Sequence, residues 1–283
     1  MTPTDPVSWP HGARVAVMLG FDFDAETLWL SRDPALAHRP GTLSQGLYGA
    51  KVGVPRILET LADFELPATF FVPGRVAETH TARVEDILAA GHEVGHHGYL
   101  HEWIDPSQPE REEEAFVDGL EALKKTVGVT PRGFRSPAWE TSRSMIGLLR
   151  KHGLSYDSSM MDQITPYRHY FDGEPGPVEL PVHWSVDDAP FTMFSIQTPR
   201  TQVSNEHLWD LWTAEFEETR RWGGLFNLTM HPQFTGRPAR IALLRRFLQW
   251  VRGFDDVWFA RGAEIADAWT VLEAKAAGTE PHR

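Results

Sequence analysis

The sequence predicts an α/β fold in which short strands and amphipathic helices alternate around a mainly parallel sheet, closed or nearly closed into a barrel. Two observations carry this. Short β-branched and apolar segments recur along the chain, and stretches with apolar residues at helical spacing separate them. Residues able to do chemistry fall where those strand segments end: Asp22 and Asp24, His97 and His101, Arg135, and His231. In parallel α/β folds chemistry gathers at the C-terminal ends of strands, so the agreement points to one shared site.

Arg14 to Gly20 reads as the first strand and runs into F-D-F-D-A-E. Residues 27–53, with R-P-G-T-L-S-Q-G-L-Y-G, read as a long glycine-rich connection, and a loop of that length is usually functional. Val54 to Leu61 follows as a helix, with Pro55 suited to a first turn. Pro67 to Val72 is a buried-strand candidate stopped by Pro73-Gly74. Arg83 to Ala90 is a short helix with Gly91 as its C-cap. His92 to Gly95 is the next strand and runs into G-H-H-G-Y-L-H-E. Then come a helix over Glu110 to Val127, a strand over Arg132 to Phe134 entering R-S-P-A-W, and a helix over Thr141 to Lys151. Pro177 to Val182 is strand-like. Glu206 to Arg221 carries Leu208, Leu211, Trp212 and Phe216 at helical spacing. Leu225 to Met230 is a strand ending at His231-Pro232. Ile241, Leu244, Leu248 and Val251 form another stripe, before a strand over Val257 to Ala260 and a closing helix.

The 283 residues allow one large α/β domain or two small ones. No run of about 18 apolar residues exists, so a membrane span is not expected. The N-terminal stretch lacks a basic and apolar leader pattern, and a cytoplasmic protein is expected. With no cysteine, thiolate ligands, thiol nucleophiles and disulfides are excluded. A net charge of -12 argues against nucleic acid and anionic polymers as partners.

Asp22 and Asp24 are two apart, so on an extended chain both carboxylates project to one face. His97 and His101 are four apart and would stack on one face of a helical turn. Two imidazoles and a carboxylate are a common ligand set for zinc and related ions. One aspartate is then left over, and a spare carboxylate beside an activated water is what hydrolysis requires.

Taken in order, F-D-F-D-A-E, H-H-G-Y-L-H, F-R-S-P-A-W, L-P-V-H-W-S-V-D and L-T-M-H-P-Q resemble the five motifs of the polysaccharide deacetylase superfamily (carbohydrate esterase family 4 and its amide-hydrolysing relatives). The resemblance covers roughly residues 14–269. It implies a distorted (β/α) barrel of seven or eight strands, one catalytic domain over 1–283 and one divalent metal, expected to be zinc. The typical family has adjacent aspartates in T-F-D-D-G, whereas Phe23 separates them here. That form is similar to a cytosolic subgroup of cyclic-imide hydrolases, allantoinase-like proteins and peptidoglycan-deacetylase-like enzymes.

Carried onto this chain, the resemblance implies Asp24, His97 and His101 as metal ligands, with His96 a rival and His92 structural. Asp22 becomes the general base, Arg135 its partner, and His231 the acid that protonates the leaving nitrogen. Tyr48, Trp139 and Trp184 are expected to line the substrate pocket, and Glu26 and Glu102 to support the ligands. The oxyanion donor has no assigned side chain; a backbone N–H near the second motif or the arginine loop is expected. The implied activity is hydrolysis of a non-peptide carbon–nitrogen bond in a small molecule or oligosaccharide. Ring-opening of a small cyclic imide or amide is slightly favoured over N-deacetylation of an N-acetyl sugar or peptidoglycan fragment. Ureide hydrolysis ranks third, and an inactive carbohydrate-binding barrel is the alternative of another class. Subgroup resemblance also implies a homo-oligomer.

Overall fold

The structure, a computed structural model, describes residues 7–195, 199 and 201–278. Nine strands form one sheet: β1 (Val15–Asp22), β2 (Thr69–Val72), β3 (Glu93–His96), β4 (Gly133–Phe134), β5 (Tyr156–Asp157), β6 (Tyr167–Phe171), β7 (Glu174–Glu179), β8 (Leu225–Met230) and β9 (Val257–Phe259). Their order is β6-β7-β5-β4-β3-β2-β1-β8, with β9 also beside β1. Every pairing is parallel except the β6–β7 hairpin. The expected barrel is therefore present, with eight parallel strands and one antiparallel addition.

The distortion has two visible sources. Residues Ala16 to Phe21 of β1 pair with β8, while the opposite edge is divided between β9 at Val15–Val17 and β2 at Gly20–Asp22. Among the described residues, one isolated bridge, Asp187 to Thr229, joins the segment after β7 to β8. There Asn227 completes the seam, its amide donating to the carbonyls of Leu180 (3.2 Å) and Pro181 (3.0 Å).

Period-two alternation decides which side chains enter the barrel. Along β1, Val15, Val17, Leu19 and Phe21 join the outer core beneath the helices. Ala16 and Met18 point inward to a second core with Phe71, Tyr156 and Leu180. Fully burying each such apolar side chain contributes about 1.5–3 kcal/mol, so a one-residue slip of register is strongly disfavoured.

Two expectations are corrected, and one strand left no pattern to read. Residues 27–53 do not form a loop: a short helix Thr27–Leu30 leads through a 3-10 turn to a helical run from Pro40 that continues to Asp63. The glycines serve close packing, because a side chain at Gly46 would overlap the Ala25 carbonyl and one at Gly53 the Pro232 carbonyl. A π-helical turn at Gly49–Gly53 precedes Pro55 and accommodates its missing N–H. The strand expected over Pro177 to Val182 lies earlier, at β7, because it pairs with β6 through a tight turn. Asp172 (φ 51°) and Gly173 (φ 81°) form that turn, an Asp-Gly hairpin signal passed over in the sequence. Finally, β5 has two residues, too short to leave a periodic pattern.

Candidate active site

The inward row of each central strand continues into a charged or titratable side chain. Inward Ala16 and Met18 on β1 lead in steps of two to Asp22, and inward Leu225 and Asn227 on β8 lead to His231. On β3 and β4 the outward residues are Val94, His96 and Phe134, so His97 and Arg135 turn inward.

Arg135 is fully buried in the barrel axis. Its guanidinium donates to Asp22 Oδ1 (2.9 Å), Thr229 Oγ1 (3.2 Å), Ser158 Oγ (2.9 Å), Asn227 Oδ1 (3.1 Å) and the Ser158 carbonyl (3.2 Å). Below it lies the Phe71 ring, 4.2 Å from centroid to guanidinium carbon. A buried arginine with this many partners fixes the rotamer of Asp22 and ties four strands to one point.

The His97 and His101 rings converge, with centroids 5.1 Å apart, but not on a helical turn. The segment after β3 is a loop whose direction is set by left-handed backbone at Gly98 (φ 72°) and His101 (φ 60°). Glu102 holds it, accepting the N–H groups of Tyr99 (3.0 Å) and Leu100 (2.7 Å). His97 Nδ1–H donates to the Arg135 carbonyl at 2.6 Å, which fixes the tautomer and leaves Nε2 facing Asp24 Oδ1 at 3.4 Å.

Both carboxylate oxygens of Asp24, His97 Nε2 and His101 Nδ1 are buried without a hydrogen-bond partner. One ligand atom from each of Asp24, His97 and His101 lies within 4.8 Å of the others. Orphaned buried polar atoms are costly, and a divalent cation would satisfy those of Asp24 and His97 together, with His101 Nε2 also facing Asp24 at 3.9 Å. The ionisation states fit as well. Burial works to raise the Asp24 carboxyl, but His101, His97 and His231 bring it down to about 2. Burial lowers His101 to about 4, keeping a neutral imidazole, the ligand form. His97 is drawn up against its burial by Asp22 and Asp24, so a cation would replace a proton there.

His231 faces the same point from β8. Its Nε2 is 3.7 Å from Asp24 Oδ2, and its Nδ1 is 2.7 Å from Asp188 Oδ1 and 3.6 Å from Asp187 Oδ1. Asp188 also accepts the His231 N–H (3.1 Å) and the Thr235 hydroxyl (2.5 Å). Burial opposes charge on this ring, yet Asp187 and Asp188 outweigh it and hold the imidazole pKa well above its usual value. Burial pushes Asp187 up to about 7. Sequence reasoning missed both acids, although Asp187 ends the L-P-V-H-W-S-V-D stretch and Asp188 follows it directly.

The polysaccharide deacetylase family profile matches residues 47–156. A peptidoglycan deacetylase of Helicobacter pylori is 31% identical over 281 residues, covering 90% of this chain and 96% of that protein. This chain belongs to the polysaccharide deacetylase family. A solved structure from Mycobacterium smegmatis, assigned to the same family, superposes with a TM-score of 0.91 at 41% identity, covering 100% of this chain and 98% of that one. The structure of Puue allantoinase shares the fold, with a TM-score of 0.80 at 24% identity and 95% of each chain covered. As a member of this family the chain is a hydrolase of non-peptide carbon–nitrogen bonds.

Other residues singled out in the sequence take varied places. His96 points out of the barrel against Phe116 and Phe134 (centroids 4.7 and 5.1 Å) and cannot join the ligands. His92 packs over Phe70. Trp139 and Trp184 stack with centroids 4.1 Å apart; Trp139 is buried and Trp184 is 40% exposed. Tyr48 donates to the Gly236 carbonyl (3.0 Å) beneath the Arg237 guanidinium, so it braces the segment following His231. Glu102 holds the loop that carries His97 and His101, whereas Glu26 pairs with His80 at 2.7 Å and touches none of Asp24, His97 and His101.

Proposed function

We propose that this chain is a divalent-metal-dependent amide hydrolase whose substrate is a small cyclic imide or amide. The burial of the reacting groups carries the reading. Asp22, Asp24, His97, His101 and His231 are 2%, 0%, 1%, 3% and 6% exposed, which suits a small planar amide better than a polymer lying across a surface.

Asp24, His97 and His101 would hold the ion, which when bound supplies a Lewis acid for the carbonyl and acidifies water. Asp22, clamped through Oδ1 by Arg135, presents its other oxygen to the site and takes the proton of the attacking water. His231 Nε2 gives a proton to the leaving nitrogen, while Asp188 orients the ring from Nδ1. Hydroxide adds to the carbonyl carbon, the carbon–nitrogen bond breaks, and nitrogen leaves with the proton of His231. The Trp139–Trp184 stack would provide an apolar wall for a planar ring. No ligand, base or acid position is lost, which argues against an inactive carbohydrate-binding barrel.

N-deacetylation of an acetamido sugar is the second reading, favoured by the Helicobacter pylori relative. Mass spectrometry of a zinc-supplemented incubation with succinimide, phthalimide, allantoin and N-acetylglucosamine oligomers separates the two. Gain of one water with nothing released from an imide supports ring-opening. Loss of acetyl from an oligomer, with free acetate, replaces it with sugar deacetylation.

A further inference from the structure

A second cluster lies on the other face of the sheet. Inward Tyr156 and Val178 place the next residues, Asp157 on β5 and Glu179 on β7, on the outside of the barrel. They are register partners in adjacent parallel strands, so two carboxylates stand side by side, both fully buried. Like charges so placed repel each other unless something positive lies between them. Among the described residues, neither acid, nor nearby Asp162, has a lysine or arginine ion-pair partner. Arg168 is committed instead to Glu273 and the Gly176 carbonyl.

Each carboxylate has one oxygen already held. Asp157 Oδ1 accepts the Ser158 N–H (2.8 Å) and the Ser159 hydroxyl (2.7 Å). Glu179 Oε1 accepts the N–H groups of Ser159 (2.8 Å) and Met160 (2.9 Å). The remaining oxygens face one another's residues: Asp157 Oδ2 is buried with no donor outside the carboxyl pair, Glu179 Oε2 meets His169 Nε2 at 2.8 Å, and the two carboxyls are close enough to share a hydrogen bond. One ligand atom from each of the three residues lies within 4.8 Å of the others. Outer hydrogen bonds that fix carboxylates while leaving one oxygen inward are how proteins orient metal ligands. His169 on β6 is 10% exposed, so the cluster is reachable from solvent.

We propose that Asp157, His169 and Glu179 bind a second divalent cation of the zinc class, separate from Asp24, His97 and His101. The electrostatics agree: burial pushes Glu179 up to about 7 and Asp157 well above its usual range, and burial lowers His169. Two acids without a cation and a neutral imidazole are the environment a divalent ion relieves. The ion would pin the β6–β7 hairpin to β5. Its reach extends to the active site, because Ser159 Oγ also accepts the N–H of Ser136, next to Arg135.

The test is zinc content per folded chain after loading with zinc alone and desalting. Wild type is expected to hold two equivalents, His169→Ala one, His97→Ala/His101→Ala one, and the triple variant none. Glu179→Gln, which keeps an oxygen for the backbone N–H groups, repeats the His169→Ala result if that variant folds poorly. Wild type with one equivalent that survives in His169→Ala and Glu179→Gln overturns the proposal. So does a shared proton, read as one equivalent together with a wild-type melting temperature that rises from pH 7 to pH 5 and ignores zinc. One equivalent lost only in the His169 and Glu179 variants supports the second site and removes metal from the first.

Discussion

Arg135 Nη1 lies 2.9 Å from Asp22 Oδ1, and the other Asp22 oxygen lies 3.9 Å from His97 Nε2. The aspartate thus stands between a buried guanidinium and the cluster of Asp24, His97 and His101, fixed on one side and free on the other. Asp22→Asn preserves this shape but removes the base. Turnover is expected to fall by about 10²–10⁴-fold, the range for a lost general base, with zinc content unchanged. Full activity in a zinc-loaded Asn variant would place the base elsewhere. Arg135→Leu leaves Asp22 buried without its partner, and denaturant unfolding should show a loss of about 3–5 kcal/mol.

Asp187 and Asp188 together set the charge of His231. Burial works against the imidazolium, and Asp187 and Asp188 raise its pKa well above the ordinary histidine value. As the acid, His231 loses function when pH rises through that raised pKa. Asp188→Asn removes one raising influence, so the alkaline limb of kcat should move to lower pH. The stability sign is the same: a raised histidine pKa contributes stability that is present below the unfolded pKa and lost as pH rises through the folded one. The variant should therefore lose stability mainly at and below neutral pH. An unmoved alkaline limb would show that another group donates the proton.

Two glycines in one helix test the packing account. A Cβ at Gly46 overlaps the backbone of Ala25, next to Asp24, while one at Gly41 meets nothing within 4 Å. Gly46→Ala should destabilise by at least about 1–3 kcal/mol, as overpacking does. Gly41→Ala should be neutral or stabilising by about 0.5–1 kcal/mol, since alanine gives up less chain entropy in a helix. Paired thermal melts decide, and equal melting temperatures would contradict the close approach.

Much of this arrangement was legible in the sequence because period-two alternation and strand ends mark it directly. The first strand, read over Arg14 to Gly20 and found at Val15–Asp22, the strand over Leu225 to Met230 and the positions of His97 and Arg135 follow from that pattern. What escaped depends on contacts between distant segments. The glycines of residues 40–53 look like loop punctuation until Ala25 and Pro232 are packed against them. His97 and His101 have helical spacing, but Gly98 and Glu102 impose a different backbone. Asp187 and Asp188 gain meaning only once β8 brings His231 to them.

Chelation should remove activity through Asp24, His97 and His101. Their orphaned atoms leave buried charge uncompensated once the ion is gone, so turnover should vanish and the melting temperature fall. Zinc should restore both. Undiminished turnover in verified metal-free protein would show that the three residues serve another purpose.

The most direct test of the central claim is a zinc-edge anomalous difference map from zinc-loaded crystals. The account predicts a peak about 2.0–2.2 Å from a carboxylate oxygen of Asp24 and a ring nitrogen of each of His97 and His101, the usual zinc distances. A map with no peak there, or with the ion held by Asp187, Asp188 and His231 instead, would contradict it.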